Sequence, residues 1–455
     1  MRHVAIIGNG ISGVTVARNL RKGDSNVRIT LISAESPYFF SRTALMYVYM
    51  GHMKFEHTQP YESGFWKKNR IDLIQDYVQS LEFESKTLQF SSGKSLKYDE
   101  LVIATGSKPN RFGWPGQDLK GVQGLYSFQD LQLLEENTHP PLCKEKDRKV
   151  KNAVIVGGGL IGVELAEMLM SRNIQVHFLV RESKFWGNVL TEAEGDLISA
   201  ELRHHGVNLM MNTELKEIQG NSEGRVESII DSHGNTIACE FVGLTAGVSP
   251  NIDFMKGTKL AVDRGIIVDE YLQTNIDSVY ALGDCAQFST APAGRRNIEQ
   301  VWYTGRMMGE VLAKTLLGEQ TSYNPGPWFN SAKFFEIEYQ TYGQVSSIPE
   351  ENEARFYWEH ENGDKAMTLV FDSKSRLFIG LNVFGIRLRH EMMDRWLRNG
   401  VSVDYVLEHL SDANFDPEFY QKHEKSIINQ FNTEFSTNVV PKRKSWKRIL
   451  GKIGA

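Results

Sequence analysis

Two stretches of the chain carry one pattern of apolar and small positions. Val4 to Ala17 reads VAIIGNGISGVTVA and Ala153 to Ala166 reads AVIVGGGLIGVELA, so Gly8, Gly10 and Gly13 fall on Gly157, Gly159 and Gly162. Each stretch opens with apolar, largely β-branched residues, passes a glycine turn and continues with apolar positions at helical spacing, as a strand, tight turn and helix would. A second strand pattern follows each, Val27 to Ile32 and Gln175 to Val180. The pattern predicts two copies of one strand–turn–helix–strand device. Leu101 to Pro109 (LVIATGSKP) reads as a buried strand ending in a turn, and the charged, proline-bearing stretch from His139 to Lys151 as a linker or domain crossing. From about Asn324 the texture changes to aromatic and β-branched alternation, in Phe334 to Tyr342, Ala366 to Val370 and Leu377 to Val383. That alternation predicts antiparallel strands of a separate α+β domain, closed by helical patterns from Arg389 onward.

Composition narrows the picture. The 455 residues, 41% of them hydrophobic, suffice for about three domains with filled cores. A net charge of -5 argues against a surface built for nucleic acid. The greasiest stretch, Ala153 to Met170, is interrupted by Glu164 and Glu167, so no transmembrane span is expected. The glycines near the N-terminus fit a nucleotide-binding turn better than a signal peptide, and a cytoplasmic location is expected. Cys143, Cys239 and Cys285 are too far apart for a CxxC pair or a cysteine zinc cluster, which suits a reducing compartment. The histidines show no metal-ligand spacing, and no metal site is expected.

The glycine spacing itself points to chemistry. The first glycine permits the tight turn, the second lets backbone approach a pyrophosphate, and the third allows helix to pack closely on strand. The helix N-terminus then offers oriented N–H groups to phosphate, through Ile11 and Ser12 in the first copy and Ile161 in the second. The rule also asks for an acid about 20 residues on, to hold a ribose hydroxyl. In the first copy Ser33 stands where that acid is commonest and Glu35 follows two positions later, either a ribose ligand or a solvated loop carboxylate. In the second, Arg181 suits a 2′-phosphate and its neighbour Glu182 a free 2′-hydroxyl, so NADPH and NADH are both open.

The order of motifs resembles the FAD-dependent pyridine nucleotide-disulfide oxidoreductase superfamily over roughly Arg2 to Asn399. Tyr98 to Pro109 (YDELVIATGSKP) is similar to its middle motif, with Ala104, Thr105 and Gly106, and Thr274 to Ala286 (TNIDSVYALGDCA) to its second FAD motif. The resemblance implies that Asp284 binds the ribityl chain of FAD, that Gly283 lets backbone approach the pyrophosphate, and that Val78 lies at the adenine. It also implies that Glu164 meets the nicotinamide carboxamide and that Gly247, in the crossing TAGVSPN, lies close to the nicotinamide. The implied fold is α/β, with two Rossmann-like dinucleotide-binding domains and a C-terminal α+β interface domain. Its expected segments are 1–112 and 246–323 for FAD, 113–245 for NAD(P), 324–405 for the interface domain and 406–455 for a helical extension.

Members with a redox disulfide place a reactive cysteine near the flavin early in the chain. SPYFFSRTALMY stands there instead, with Arg42 in the cysteine's place. Together with IEQVWYTG and PWFNSAKFFEIEYQTYG, this resembles the rubredoxin, ferredoxin and nitrite-reductase type of NAD(P)H-dependent reductase, and implies that Trp302 sits beside the flavin. Many ferredoxin reductases of this type carry a lysine soon after the arginine; Tyr47 holds that place here and leaves the hydrogen bonding of flavin N5 open. The implied chemistry is hydride transfer from the nicotinamide to flavin, with Glu164, Arg42 and Trp302 at the reacting rings and no side-chain nucleophile. Electrons would leave the flavin directly, for an electron-carrier protein or, alternatively, for oxygen, a quinone or another small molecule. A redox-sensing flavoprotein similar to apoptosis-inducing factor is a further alternative, and a homodimer is open. Cys285, inside the FAD motif, is read as structural.

The last fifteen residues, PKRKSWKRILGKIGA, hold six basic and no acidic side chains. Trp446, Ile449, Leu450 and Ile453 would form one stripe of a helix flanked by Lys444, Lys447, Arg448 and Lys452. A solubilising tail, a contact with an anionic membrane surface and a contact with an acidic redox partner are the three readings of this pattern.

Overall fold

The computed structural model describes residues 1–138, 150–415 and 421–442. Cys143 and the tail beyond Lys442 lie outside the described residues. The chain forms two compact units, Met1–Ser183 with Gly206–Pro325, and Lys184–His205 with the chain from Gly326 onward. This division is coarser than the five expected segments.

The first unit contains two parallel sheets. In one, strand β1 (His3–Ile7), buried along its whole length, leads through a glycine turn into helix α1 (Ile11–Gly23) and strand β2 (Arg28–Ser33). Helix α2 (Leu45–Tyr49), β3 (Ile71–Gln75) and β4 (Glu100–Ile103) follow. The five-stranded order is Val279–Ala281, β4, β1, β2, β3, all parallel. The continuous apolar sequence from Val4 to Ile7 is what a strand covered on both faces requires.

The second sheet repeats the design. Helix α3 (Phe128–Thr138) precedes β5 (Asn152–Val156), helix α4 (Leu160–Ser171), β6 (Gln175–Leu179) and β7 (Phe241–Leu244). The order is Asn208–Met210, β6, β5, β7, Val122–Gln123, again all parallel. The chain passes from one sheet to the other through two short strands, Ser107–Pro109 outward and Val248–Pro250 back, paired antiparallel. Helix α5 (Trp302–Leu316) lies along α1, where Gly305 and Gly309 face Ser12 and Thr15 so closely that a Cβ at either glycine would overlap them.

The second unit is built on five antiparallel strands, β8 (Phe329–Phe334), β9 (Ile337–Gly343), β10 (Glu353–Glu359), β11 (Ala366–Asp372) and β12 (Phe378–Phe384), in the order β8, β9, β12, β11, β10. The alternation from Phe334 to Tyr342 includes a hairpin turn between antiparallel strands: Phe335 has a φ of 52° and Phe334 pairs with Ile337. Helices α6 (His390–Arg398) and α7 (Glu424–Phe435) lay Trp396, Ile427, Ile428 and Phe431 into the core. The helix Glu192–His204 belongs to this unit. Its capping residue Glu194, fully buried, accepts hydrogen bonds from Thr368 Oγ1 (2.5 Å) and Asn382 Nδ2 (3.2 Å) on β11 and β12.

Candidate functional site: paired glycine cradles

The first cradle forms where β1 turns into α1. Gly8 has a φ of 115°, and a Cβ there would overlap the carbonyl of Ala104, so only glycine brings the turn against β4. A Cβ on Gly13 would likewise overlap the carbonyl of Gly8. Gly10 differs: it caps α1 with no side-chain hydrogen bond, and a Cβ built there would meet no atom within 4 Å. The helix N-terminus therefore opens onto space, as a pyrophosphate-binding turn requires. Asn9 donates to the carbonyl of Ser36 (2.9 Å) and fixes the turn to the loop after β2.

That loop carries Glu35, which is far from a free surface carboxylate. Arg42 donates Nη1 to its Oε1 (2.8 Å) and Nη2 to its Oε2 (2.6 Å), and the amide of Phe128 donates to Oε1 (2.8 Å). Ser33 Oγ accepts from the Glu35 amide (3.2 Å). The Arg42 guanidinium lies 4.4 Å from the centre of the Tyr126 ring and donates to the Tyr126 carbonyl (2.5 Å). Tyr126 in turn accepts the Ser107 amide on its hydroxyl (3.0 Å), Ser107 Oγ donates to Asp284 Oδ2 (2.9 Å), and Gln300 Nε2 donates to Ser107 Oγ (2.8 Å). Burial pushes the Asp284 carboxyl up, while the Ser107 hydroxyl pulls it down.

Gly283, with a φ of 74°, faces Ser12 so closely that a Cβ would overlap its hydroxyl. Cys285 is buried, its one S–H lies within reach of the carbonyls of Leu282 (3.3 Å) and Ile103 (3.5 Å), and burial raises its pKa. Thr105 Oγ1 donates to the carbonyl of Asn251 (2.8 Å), whose amide donates to the carbonyl of Gly106 (2.9 Å). Val78 opens the strand Val78–Glu82 and packs in the core of this unit. Trp302 starts α5, half-buried, its ring 5.5 Å from that of Tyr303.

The second cradle repeats the first. Gly157 has a φ of 116°, and a Cβ there would lie 2.7 Å from the carbonyl of Thr245. Gly162 sits against the Gly157 carbonyl and Phe178, whereas Gly159, capping α4, again faces open space next to Ile161. Along α4 comes Glu164, whose carboxyl is pushed up to about 7 by burial, with the neighbouring Glu167 adding to the shift. Gly247, at a φ of 84°, accepts the Asn110 amide on its carbonyl (3.1 Å) beside the paired crossing strands. Arg181 and Glu182 follow β6 and bind each other (3.0 Å), their side chains 70% and 43% exposed.

The structure thus brings Glu35, Arg42 and Asp284 onto one chain of contacts. Its links are Tyr126 and Ser107, the latter also accepting from Gln300, and the glycine spacing could not supply them. Ser107 was within reach because it directly follows Thr105 and Gly106; Tyr126 lies 84 residues from Arg42 and carries no local signal.

Both turns place an open glycine at a helix N-terminus, which fits two dinucleotides. The pyridine nucleotide-disulphide oxidoreductase family model matches residues 2–309. The chain is 29% identical over 317 residues to the ferredoxin–NAD(+) reductase component of the biphenyl dioxygenase system of Paraburkholderia xenovorans, covering 70% of this chain and 75% of the other. The ferredoxin reductase component of a chlorobenzene dioxygenase from Cupriavidus sp. is 30% identical over 322 residues, with the same coverage of 70% and 75%. Among solved structures, an NAD-dependent persulfide reductase from A. fulgidus superimposes with a TM-score of 0.82 over 97% of this chain and 86% of that one, at 21% identity. Putidaredoxin reductase in its covalent complex with putidaredoxin does so with a TM-score of 0.76 over 96% and 99%, at 18% identity. With the family model spanning both cradles and the motifs that join them, this chain belongs to the pyridine nucleotide-disulphide oxidoreductase family and is an oxidoreductase that uses FAD and a nicotinamide dinucleotide.

Proposed function

We propose that this enzyme takes hydride from NADH or NADPH onto bound FAD and passes the electrons to a carrier protein of ferredoxin or rubredoxin type. The observation that carries the reading is Arg42: where disulfide members hold a reactive cysteine, this chain holds a guanidinium engaged with Glu35 and Tyr126. Cys285 in the FAD motif and Cys239 are both buried with raised thiol pKa values, so neither offers a ready thiolate. The two dioxygenase-system relatives are named for ferredoxin reductases, which supports a carrier as acceptor.

In this reading segments 1–112 and 246–323 hold FAD. Gly8, Gly10, Ile11, Ser12 and Gly13 cradle its pyrophosphate with Gly283, while Ser33 and Glu35 take a ribose and Arg42 neutralises charge. Ala104, Thr105 and Gly106 line the flavin side with Asp284 on the ribityl chain, Val78 at the adenine and Trp302 by the ring. Segment 113–245 receives the nicotinamide through Gly157, Gly159, Ile161 and Gly162, with Arg181 or Glu182 at the adenosine ribose, Glu164 at the carboxamide and Gly247 near the ring. When bound, FAD supplies the acceptor of hydride and the outlet for electrons; the protein orients the two dinucleotides and shields them from water.

No helix among the described residues is long and apolar enough to cross a membrane. A cytoplasmic enzyme, with peripheral contact through the basic tail and with or without dimerisation through segment 324–405, is consistent with the reading. The deciding experiment is an anaerobic reduction by NADH and NADPH followed by a panel of acceptors. Fast transfer to a small iron–sulfur protein and slow reaction with oxygen and quinones is expected. Fast turnover with oxygen or a quinone, or no turnover with any acceptor together with reduction-dependent oligomerisation, refutes the carrier assignment.

A further inference from the structure

A second network in the first unit joins residues that belong to none of the motifs above. Arg172, the residue that caps the C-terminus of α4, donates Nη1 to Glu135 Oε2 (2.8 Å) and Nη2 to Glu135 Oε1 (2.7 Å) on α3. The same Nη2 donates to the backbone carbonyl of Tyr49 (2.7 Å), the last residue of α2. Its guanidinium carbon lies 3.5 Å from the centre of the Tyr49 ring. The ring is 2% exposed; its hydroxyl shares a hydrogen bond with Thr138 Oγ1 (2.7 Å), which donates to the Leu134 carbonyl (2.6 Å) on α3. Burial pushes the Tyr49 phenol up to about 12, so the hydroxyl stays neutral.

Three helices therefore meet on one guanidinium. Its planar fork satisfies a carboxylate with two donors and a helix-terminal carbonyl with a third contact while its face lies on an aromatic ring; an ammonium has neither the plane nor the fork. A cation is also favoured at the C-terminal ends of α2 and α4, where unpaired carbonyls gather.

What this clamp joins gives it meaning. α2 carries Tyr47, which the sequence resemblance sets near the flavin, and α4 carries Glu164 eight residues before Arg172, about 12 Å along the helix. We infer that Arg172 is a positioning residue for hydride transfer: by fixing α4 to α2 and α3 at its far end, it sets where Glu164 presents the nicotinamide to the flavin. The inference rests on the proposed place of Glu164 at the nicotinamide. Because α4 is also buried along its length through Val163, Leu165, Ala166, Met168 and Leu169, loss of the clamp leaves α2 and α3 free to shift against its C-terminal end. Displacements of about 1 Å between reacting partners cost up to about 100-fold in rate, so a clamp loosened on one side should cost about tenfold.

The test uses the FAD-loaded full chain as R172M, R172K and E135Q. With whichever nicotinamide reduces the unaltered enzyme, R172M should lower the stopped-flow rate of flavin reduction about tenfold and weaken the long-wavelength charge-transfer absorbance of stacked nicotinamide and flavin. Its flavin potential by dithionite titration should stay as in the unaltered enzyme, since no residue of the cradle is touched. R172K, which keeps the charge but loses the fork, should recover part of both signals. Unchanged rate and absorbance in R172M overturn the inference, whereas an unaltered enzyme that no nicotinamide reduces overturns the functional reading beneath it. If R172M does not retain FAD, E135Q decides. A two- to threefold slower reduction with weaker absorbance, on the order of one lost charge-assisted hydrogen bond across a clamp that still holds, supports the inference, and unchanged values refute it.

Discussion

The two glycine cradles share a fingerprint and differ in everything around it. In the first, the loop after β2 is locked: Glu35 is held by Arg42 and Phe128, and Arg42 by Tyr126, which reaches Asp284 through Ser107. In the second, the equivalent loop ends in Arg181 and Glu182, whose exposed side chains bind each other, while the Glu182 carbonyl accepts the Asn212 amide. The same turn thus sits in a wired pocket in one case and an open one in the other. A permanently held cofactor gains from a site whose charges are fixed in advance, whereas a substrate that must come and go gains from side chains that cost little to move.

Substituting the open glycines should separate the two sites most sharply. In G10A and G159A a methyl enters space that no protein atom fills, so the fold should survive, with Tm within a few degrees of the parent. G10A should be purified largely without FAD, read from its absorbance at flavin wavelengths, while G159A should stay yellow and raise KM for the nicotinamide about tenfold or more. If both variants keep full flavin, the assignment of the first cradle to FAD is wrong.

Next in size is the pH dependence of Glu164. Its carboxyl titrates at about 7, raised from the ordinary 4.5, so it is largely neutral at pH 6 and charged at pH 8. With Glu164 at the nicotinamide as proposed, its carboxylate favours the positive charge that grows on the ring as hydride leaves, so reduction should quicken with pH through about 7. In E164Q that step should vanish from the profile. The folded chain also holds this proton more tightly than the unfolded chain between pH 4.5 and about 7, so its contribution to stability is lost as pH rises through that window. A profile with the same step in E164Q would assign it to another group.

Smaller effects are expected at the exposed pair. R181A should lower kcat/KM for NADPH several-fold with little change for NADH, and E182A should do the reverse, because both side chains act through solvent-screened contacts. Equal loss for both nucleotides in either variant would remove these residues from the adenosine ribose. Smallest of all, a chain stopped at Val440 should reduce its flavin at the parental rate while losing affinity for anionic vesicles or for an acidic carrier protein. Identical binding by both forms would leave the basic tail with a solubilising role only.

Much of this was legible in the sequence because each glycine answers a single backbone demand. Gly8, Gly13, Gly157 and Gly162 sit where a Cβ would collide, and Gly10 and Gly159 where it would occupy the cradle, so their spacing alone announces the turn. Side chains that act by meeting one another leave no such trace. Tyr126 reaches Arg42 across 84 positions and Arg172 reaches Tyr49 across 123, distances over which no local periodicity carries information. Glu35 illustrates the boundary: its position was readable, but that Arg42 and the Phe128 amide would claim its oxygens was not. The place of the hairpin turn at Phe335 leaves no trace for a different reason. Its turn contains neither glycine nor asparagine, so the aromatic alternation runs through it unbroken.

The ribbon formed by Ser107–Pro109 and Val248–Pro250 makes the intervening stretch a cassette whose entry and exit lie side by side. A change of length inside that stretch leaves the spacing of its two ends untouched, yet the stretch cannot be exchanged whole, because it includes the helix Glu192–His204, whose buried Glu194 bonds Thr368 and Asn382 of the second unit.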